Sequence, residues 1–153
     1  MRVVVQRVQR AAVHVGAETV ASIGPGLLLL VAFKTGDEDK DLRWMAEKVA
    51  HLRIFEDSAG KMNRALLEVG GQALVVSQFT LYGDARKGRR PSFDAAAPAA
   101  EARVLFEKFV DRLTSHGIMA AVGRFQAAMR VELVNDGPVT LLLDSQSAGF
   151  AAG

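Results

Sequence analysis

The sequence predicts a single α+β domain, with a mostly antiparallel or mixed β-sheet and two long helices. Three observations predict it. The chain has 153 residues, half of them hydrophobic and 24% charged, which suits one folded globule and not a disordered chain. Its apolar residues change period along the chain, from strand-like runs to two segments at helical spacing. Those segments stand among several strands without strict βαβ alternation, which argues against a doubly wound parallel sheet.

Val3 to Val8 reads as the first strand, and Ala11–Val15 with Thr19–Ile23 form a hairpin around Gly16-Ala17-Glu18. After the turn Gly24-Pro25-Gly26, the unbroken apolar run Leu27 to Phe33 reads as a fully buried strand. From Asp37 the period becomes helical. Leu42, Met45, Ala46, Val49 and Leu52 mark one face, and the acids at 37–39 and 41 suit the positive end of a helix dipole. Asp57–Gly60 is a turn and Gly70-Gly71 a break, after which Ala73 to Phe79 reads as a strand. Tyr82 to Phe93 is a polar loop. Pro98 then suits the first turn of a helix whose buried face is Leu105, Phe106, Phe109, Val110 and Leu113, stopped by His116-Gly117. Ile118–Val122, Met129–Val134 and Val139–Leu143 read as further strands. Residues 1–145 make the domain and 146–153 a short frayed tail.

Composition removes several classes of function. Lys and Arg number 19 against 17 for Asp and Glu, a balance that permits a nucleic-acid partner without demanding one. The absence of cysteine excludes disulfides, thiolate metal sites and cysteine nucleophiles, and fits a reducing compartment. The longest apolar run falls far short of the roughly 20 residues of a membrane helix. Arg2, Arg7 and Arg10 interrupt the N-terminus, leaving no signal-peptide core, so a cytoplasmic protein without a membrane partner is expected. His14, His51 and His116 lie on different elements, at neither HxxxH nor HExxH spacing. No metal centre and no cofactor are expected. There is no GxSxG elbow either.

Three stretches remain as candidate chemistry. Gly83 to Arg90, GDARKGRR, has the skeleton of a phosphate loop. However, Arg89 and Arg90 stand where Lys and Ser/Thr belong, and Pro91 obstructs the following helix. Arg86, Lys87, Arg89 and Arg90 are therefore read either as a solvated loop or as cations that meet a phosphate backbone. Asn135 to Thr140, NDGPVT, reads as a hairpin turn, with Pro138 awkward where the next strand should begin. Ser77, Gln78, Phe79 and Thr80 end a core strand with no base nearby. They are either a locally bonded strand end, or a place where the N–H groups of Phe79 and Thr80 converge to hold an oxyanion.

Taken together, these segments carry a resemblance. SQFTL at 77–81, RPSF at 90–93, GRF at 123–125 with Met129 following, and NDGPVT at 135–140 occur in order, with QRV at 6–8 and KMN at 61–63. The chain resembles the D-aminoacyl-tRNA deacylases over about residues 1–144, and the ordered set is far more specific than any one motif. The resemblance implies a homodimer that hydrolyses the ester between a D-amino acid and the terminal adenosine of tRNA, and also clears glycine mischarged on tRNA-Ala. It implies that Gly137-Pro138 is cis and enters the partner subunit's active site, rejecting L-amino acids by lack of room. Arg7 would fix that loop, Phe125 and Met129 would lie beside the pocket, and Ser77 to Thr80 would surround the tRNA 3′ end. Two rivals stay open: a non-catalytic tRNA- or RNA-binding module, and an esterase acting on small D-amino acid esters.

Overall fold

The structure, a computed structural model, describes residues 1–148. Its organising element is β1, Arg2–Val15, which alone pairs with three other strands. On one side its first half runs antiparallel to β3, Gly26–Ala32, and its second half to β2, Glu18–Ile23. On the other side it pairs with the long strand β8, Arg130–Asp144. Beyond β3 the sheet turns parallel, through β6 (Gln72–Ser77) to β7 (Met119–Val122). The expected mixed sheet is therefore present, and it curls far enough to be nearly a barrel. Arg124, just past β7, reaches Glu18 at the start of β2 at 3.0 Å.

The run Leu27 to Phe33 is buried on both faces because the curled sheet has two cores. Leu27, Leu29 and Val31 join Val3, Val5 and Val75 under the helices, whereas Leu28 joins Val8, Val13, Leu74 and Val76 inside the curl. The outer core is covered by α1, Asp39–His51, and α3, Ala99–Ser115, the two long helices expected. Leu42, Met45, Ala46 and Val49 of α1 meet the sheet beside Leu105, Phe106, Phe109 and Leu113 of α3. Gly117, at φ 87°, ends α3 where the sequence places the stop. Among the described residues, no helix is long and apolar enough to cross a membrane.

Four expectations change, the first being that the strands expected over Val3–Val8 and Ala11–Val15 are one, β1. The hairpin β4 (Phe55–Glu56) and β5 (Met62–Arg64), and the single-turn α2 (Leu66–Val69), are too short to show a period. The strand expected to reach Phe79 stops at Ser77, where Gln78 (φ −143°, ψ 72°) turns the chain into a 3₁₀ helix over Phe79–Tyr82. NDGPVT is not a hairpin turn: residues on both sides of it pair with β1 in the same antiparallel sense, so the two expected strands are one. A 3₁₀ turn over Ser145–Ala148, with Ser145 buried, leads into the expected tail, of which 149–153 lie outside the described residues.

Candidate active site

The end of β6 opens one side of a cavity of about 540 Å³. Val76, Ser77, Gln78 and Phe79 line it on that side, Phe93 and Ala97 flank it, and Phe125 and Met129 face them. Its size and mostly apolar wall suit a small-molecule-sized group. Phe79 is 54% exposed and meets Phe93 edge to face, with ring centres 5.1 Å apart. Phe125 is held from behind by Phe106 and by the Arg103 guanidinium, 4.7 Å from its ring centre. Arg103 also donates to the side chain of Gln126, whose φ of 61° turns the chain under the cavity. A side chain at Gly123 would lie 2.9 Å from Met129 Sδ, so the glycine lets Met129 close against the strand end. Arg103 and Gln126 escaped the sequence reading because a lone Arg on a helix carries no signal.

The 3₁₀ turn is fixed from beneath. Tyr82, buried at its end, lies under the Arg2 guanidinium at 4.6 Å, and Arg2 Nη1 donates to the Leu81 carbonyl at 3.1 Å. Burial, with Asp37 and Asp144 nearby, pushes the Tyr82 phenol well above its ordinary pKa, so it stays neutral. The last ladder bond runs from Gln78 N–H to Val31 O at 2.7 Å, and the turn closes through Leu81 N–H to Gln78 O and Gly83 N–H to Thr80 O. Phe79 and Thr80 therefore occupy the first turn, where N–H groups have no partner within the helix. Thr80 is exposed, and among the described residues its hydroxyl meets only the Gln78 carboxamide. Among the described residues, no imidazole, carboxylate or amine hydrogen-bonds to the Ser77 or Thr80 hydroxyl. The corner thus offers backbone donors but no side-chain base.

The 135–140 segment is held by a buried arginine. Arg7 falls on the same face of β1 as Val3 and Val5, the face under α1 and its extension, so its guanidinium reaches the Ile54 carbonyl at 2.6 Å. The same group donates to the Asp136 carbonyl at 3.2 Å and pairs with its carboxylate at 3.5 Å. From the other side, Asn135 Nδ2 donates to the carbonyls of Arg7 and Val139. The Gly137–Pro138 bond is cis. Gly137 has φ 126°, and a Cβ there would lie 2.7 Å from Val139 Cγ2 and 3.1 Å from Arg7 Nη2. Both residues are exposed, and neither lines the cavity of its own chain.

The basic loop adjoins the cavity through Phe93. Asp84 and Ser92 pair at its base, leaving Arg86, Lys87, Arg89 and Arg90 exposed beyond them. Arg86 folds back on Asp84 at 2.6 Å and holds that carboxyl down to about 2. Among the described residues, the other three cations have no such partner. The structure thus brings Ser77, Gln78, Phe79, Phe125 and Met129 together, and sets Gly137-Pro138 and the basic loop apart.

The comparisons with known proteins agree with this geometry. A family described as D-Tyr-tRNA(Tyr) deacylase matches residues 4–144. The D-aminoacyl-tRNA deacylase of Thermomicrobium roseum is 61% identical over 95% of this chain and 94% of its own length. That of Heliobacterium modesticaldum is 58% identical over 95% and 97%. Among solved structures, a c-Myc DNA unwinding element binding protein superposes with a TM-score of 0.89 at 38% identity, covering 94% of this chain and 98% of that one. A probable eukaryotic D-amino acid tRNA deacylase shares the fold, with a TM-score of 0.82 at 19% identity over 93% and 97%. With a family match over nearly all its length and relatives well above half identical, the chain belongs to the D-aminoacyl-tRNA deacylase family.

Proposed function

We propose that the protein hydrolyses the ester joining a D-amino acid to the terminal adenosine of tRNA, and clears glycine mischarged on tRNA-Ala by the same route. The observation that carries this reading is a cleft ending at two backbone donors with no side-chain base beside them. An aminoacyl ester is intrinsically labile, so stabilising the charge that develops on its carbonyl oxygen is enough to accelerate its hydrolysis. The N–H groups of Phe79 and Thr80 hold that oxyanion while the substrate's 2′-hydroxyl helps to activate the attacking water. One such donor supplies about 3–4 kcal/mol in well-studied hydrolases. Thr80 is not the nucleophile, because a carboxamide cannot take its proton. The terminal adenine stacks against the aromatic edge of exposed Phe79 and half-buried Phe93 and Phe125, as unpaired bases do in RNA recognition.

Chirality is read by a second copy of the chain. Gly137-Pro138 enters the partner's cavity, and glycine passes because it has no side chain to exclude. Three features support this arrangement. The segment is exposed, pinned from behind by Arg7, and absent from its own chain's cavity wall. Leu141 and Leu142, 37% and 65% exposed on the same strand, offer apolar surface to that second copy. The exposed cations at 87, 89 and 90 instead favour the rival in which the protein only binds RNA.

Deacylation of D-tyrosyl-tRNA and L-tyrosyl-tRNA, followed against the uncatalysed rates, decides between them. Rapid loss of the D ester alone is expected, and no acceleration of either would leave the RNA-binding rival. Thr80→Ala is expected to keep much of the activity. A loss of several orders of magnitude, with the fold intact, would make its hydroxyl the reacting group.

A further inference from the structure

On the far side of the helical layer, the structure joins two histidines that the sequence reading kept apart. His51 closes α1 and His116 caps α3. Their rings meet edge to face at 5.7 Å, and Glu47 Oε2 lies 3.7 Å from His116 Nε2. We propose that Glu47, His51 and His116 form a site for one divalent transition-metal ion of the zinc class, tying the end of α1 to the end of α3.

Spacing, distance and charge all point to this. Glu47 and His51 are four residues apart on α1 and therefore share a face, which is the carboxylate–imidazole pairing that an ExxxH spacing provides. One ligand atom from each of the three residues lies within 4.8 Å of the other two. Around a tetrahedral zinc ion with ligands at about 2.0–2.2 Å, donor atoms stand roughly 3.4 Å apart. Glu47 and His51 are exposed, which leaves their side chains free to rotate and close the difference. Two imidazoles and one carboxylate favour Zn²⁺, Ni²⁺ or Co²⁺ over Mg²⁺ or Ca²⁺, and leave a fourth position for water. The negative ends of two helix dipoles also converge here, adding attraction for a cation. A plain ion pair between Glu47 and His116 would give His51 no part, whereas its ring lies against that of His116.

None of the three residues lines the cavity, so the ion acts on the scaffold and not on the reaction. Past His51 the chain runs through Leu52 to Ile54, whose carbonyl anchors Arg7. An ion at the helix ends therefore secures the segment on which the 135–140 loop leans.

Tag-free protein stripped with chelator and dialysed is titrated with Co²⁺ and then Zn²⁺, reading cobalt absorption and Tm. One ion per chain is expected, and at a hundredfold excess of Zn²⁺ over Kd the Tm rises by about 5–10 °C. His51→Gln and His116→Gln each abolish the rise, and Mg²⁺ gives none. His14→Gln, which alters the third histidine beside Glu132, leaves the rise unchanged. No rise in the wild type would overturn the proposal, as would a rise that survives in both variants or is matched by Mg²⁺.

Discussion

Two segments stand outside the cavity, and they are held in opposite ways. The 135–140 segment stands on a buried arginine that bonds to Ile54 and Asp136, with Asn135 clamping it from the strand side. The 84–92 loop has a pair of backbone bonds between Asp84 and Ser92 and one surface ion pair. The difference suits the roles proposed for them, a steric filter and a phosphate contact. A steric filter works only if it cannot give way, whereas a cation that meets phosphate acts over several ångströms and gains from adapting its position. Mutations should therefore separate the two segments sharply.

The largest effect is expected at Arg7, which is 6% exposed. Arg7→Ala leaves the Ile54 and Asp136 carbonyls without their charged donor and opens a gap under α1. The loss should be about 3 kcal/mol, or roughly 6–12 °C in Tm. Arg7→Lys should recover only part of it, since one ammonium cannot fork between the two carbonyls. Thermal unfolding reads both, and a fall below 2 °C for Arg7→Ala would mean that the segment does not depend on this anchor. The ratio of D to L deacylation should fall with the same variants.

Gly137→Ala comes next. Its φ of 126° is costly for any L side chain, and the new Cβ would press on Val139 Cγ2 and Arg7 Nη2. A cost of about 1–3 kcal/mol is expected by urea unfolding. An unchanged midpoint would show that the segment can shift, contradicting the comparison.

Acid contrasts the end of β8, the strand that carries 135–140, with the basic loop on a smaller scale. Burial pushes the Asp144 carboxyl up, but the Arg2 guanidinium and the Gln146 N–H outweigh it, so its pKa ends below the ordinary value. Asp84 is lowered to about 2 by Arg86 at the surface. A carboxyl depressed in the folded state stabilises above its unfolded value of about 4, and loses that contribution as pH falls through the folded one. Between pH 4 and 2, both Asp144→Asn and Asp84→Asn should therefore flatten the loss of stability. Asp84 is lowered further, but its pair is exposed and screened, so Asp144→Asn should flatten it more. High salt should erase the Asp84 effect first, because exposed pairs are screened. Equal flattening by both variants would deny any advantage to the half-buried pair.

These contrasts bear on how much the sequence alone could say. The buried strand Leu27–Phe33, the faces of α1 and α3 and the stop at Gly117 were legible because periodicity and glycine report directly on packing and backbone freedom. The continuity of β8 through NDGPVT was not. Asn, Asp, Gly and Pro compose a turn equally well, and only the pairing of both flanks with β1 identifies an excursion from one strand. At the site, Ser77–Thr80 stood out as a strand end without a base, Phe125 and Met129 by resemblance, and all of them but Thr80 line the cavity. What Arg7 touches, and what Arg103 supports, depends on contacts between distant segments that spacing cannot encode. The same holds for His51 and His116, which different helices deliver to one point.

The smallest effect on stability is expected where charge is most concentrated. Replacing Lys87, Arg89 and Arg90 together by Ala removes three exposed cations while leaving the Arg86–Asp84 pair in place. Surface changes of this kind stay within about 0.5 kcal/mol, so the Tm should hardly move. Binding should move instead. Each cation that meets a phosphate of the single-stranded tRNA end contributes roughly 0.7 to the slope of log affinity against log salt, so the slope should fall by about 2. Deacylation at saturating tRNA should be preserved, since none of the three lines the cavity. A preserved slope would move the tRNA-docking face elsewhere, and a large fall in Tm would mean that the loop is held as firmly as the segment Arg7 anchors. Only an unchanged Tm with a reduced slope keeps the two segments in the separate roles proposed for them, one fixed to exclude and the other free to attract.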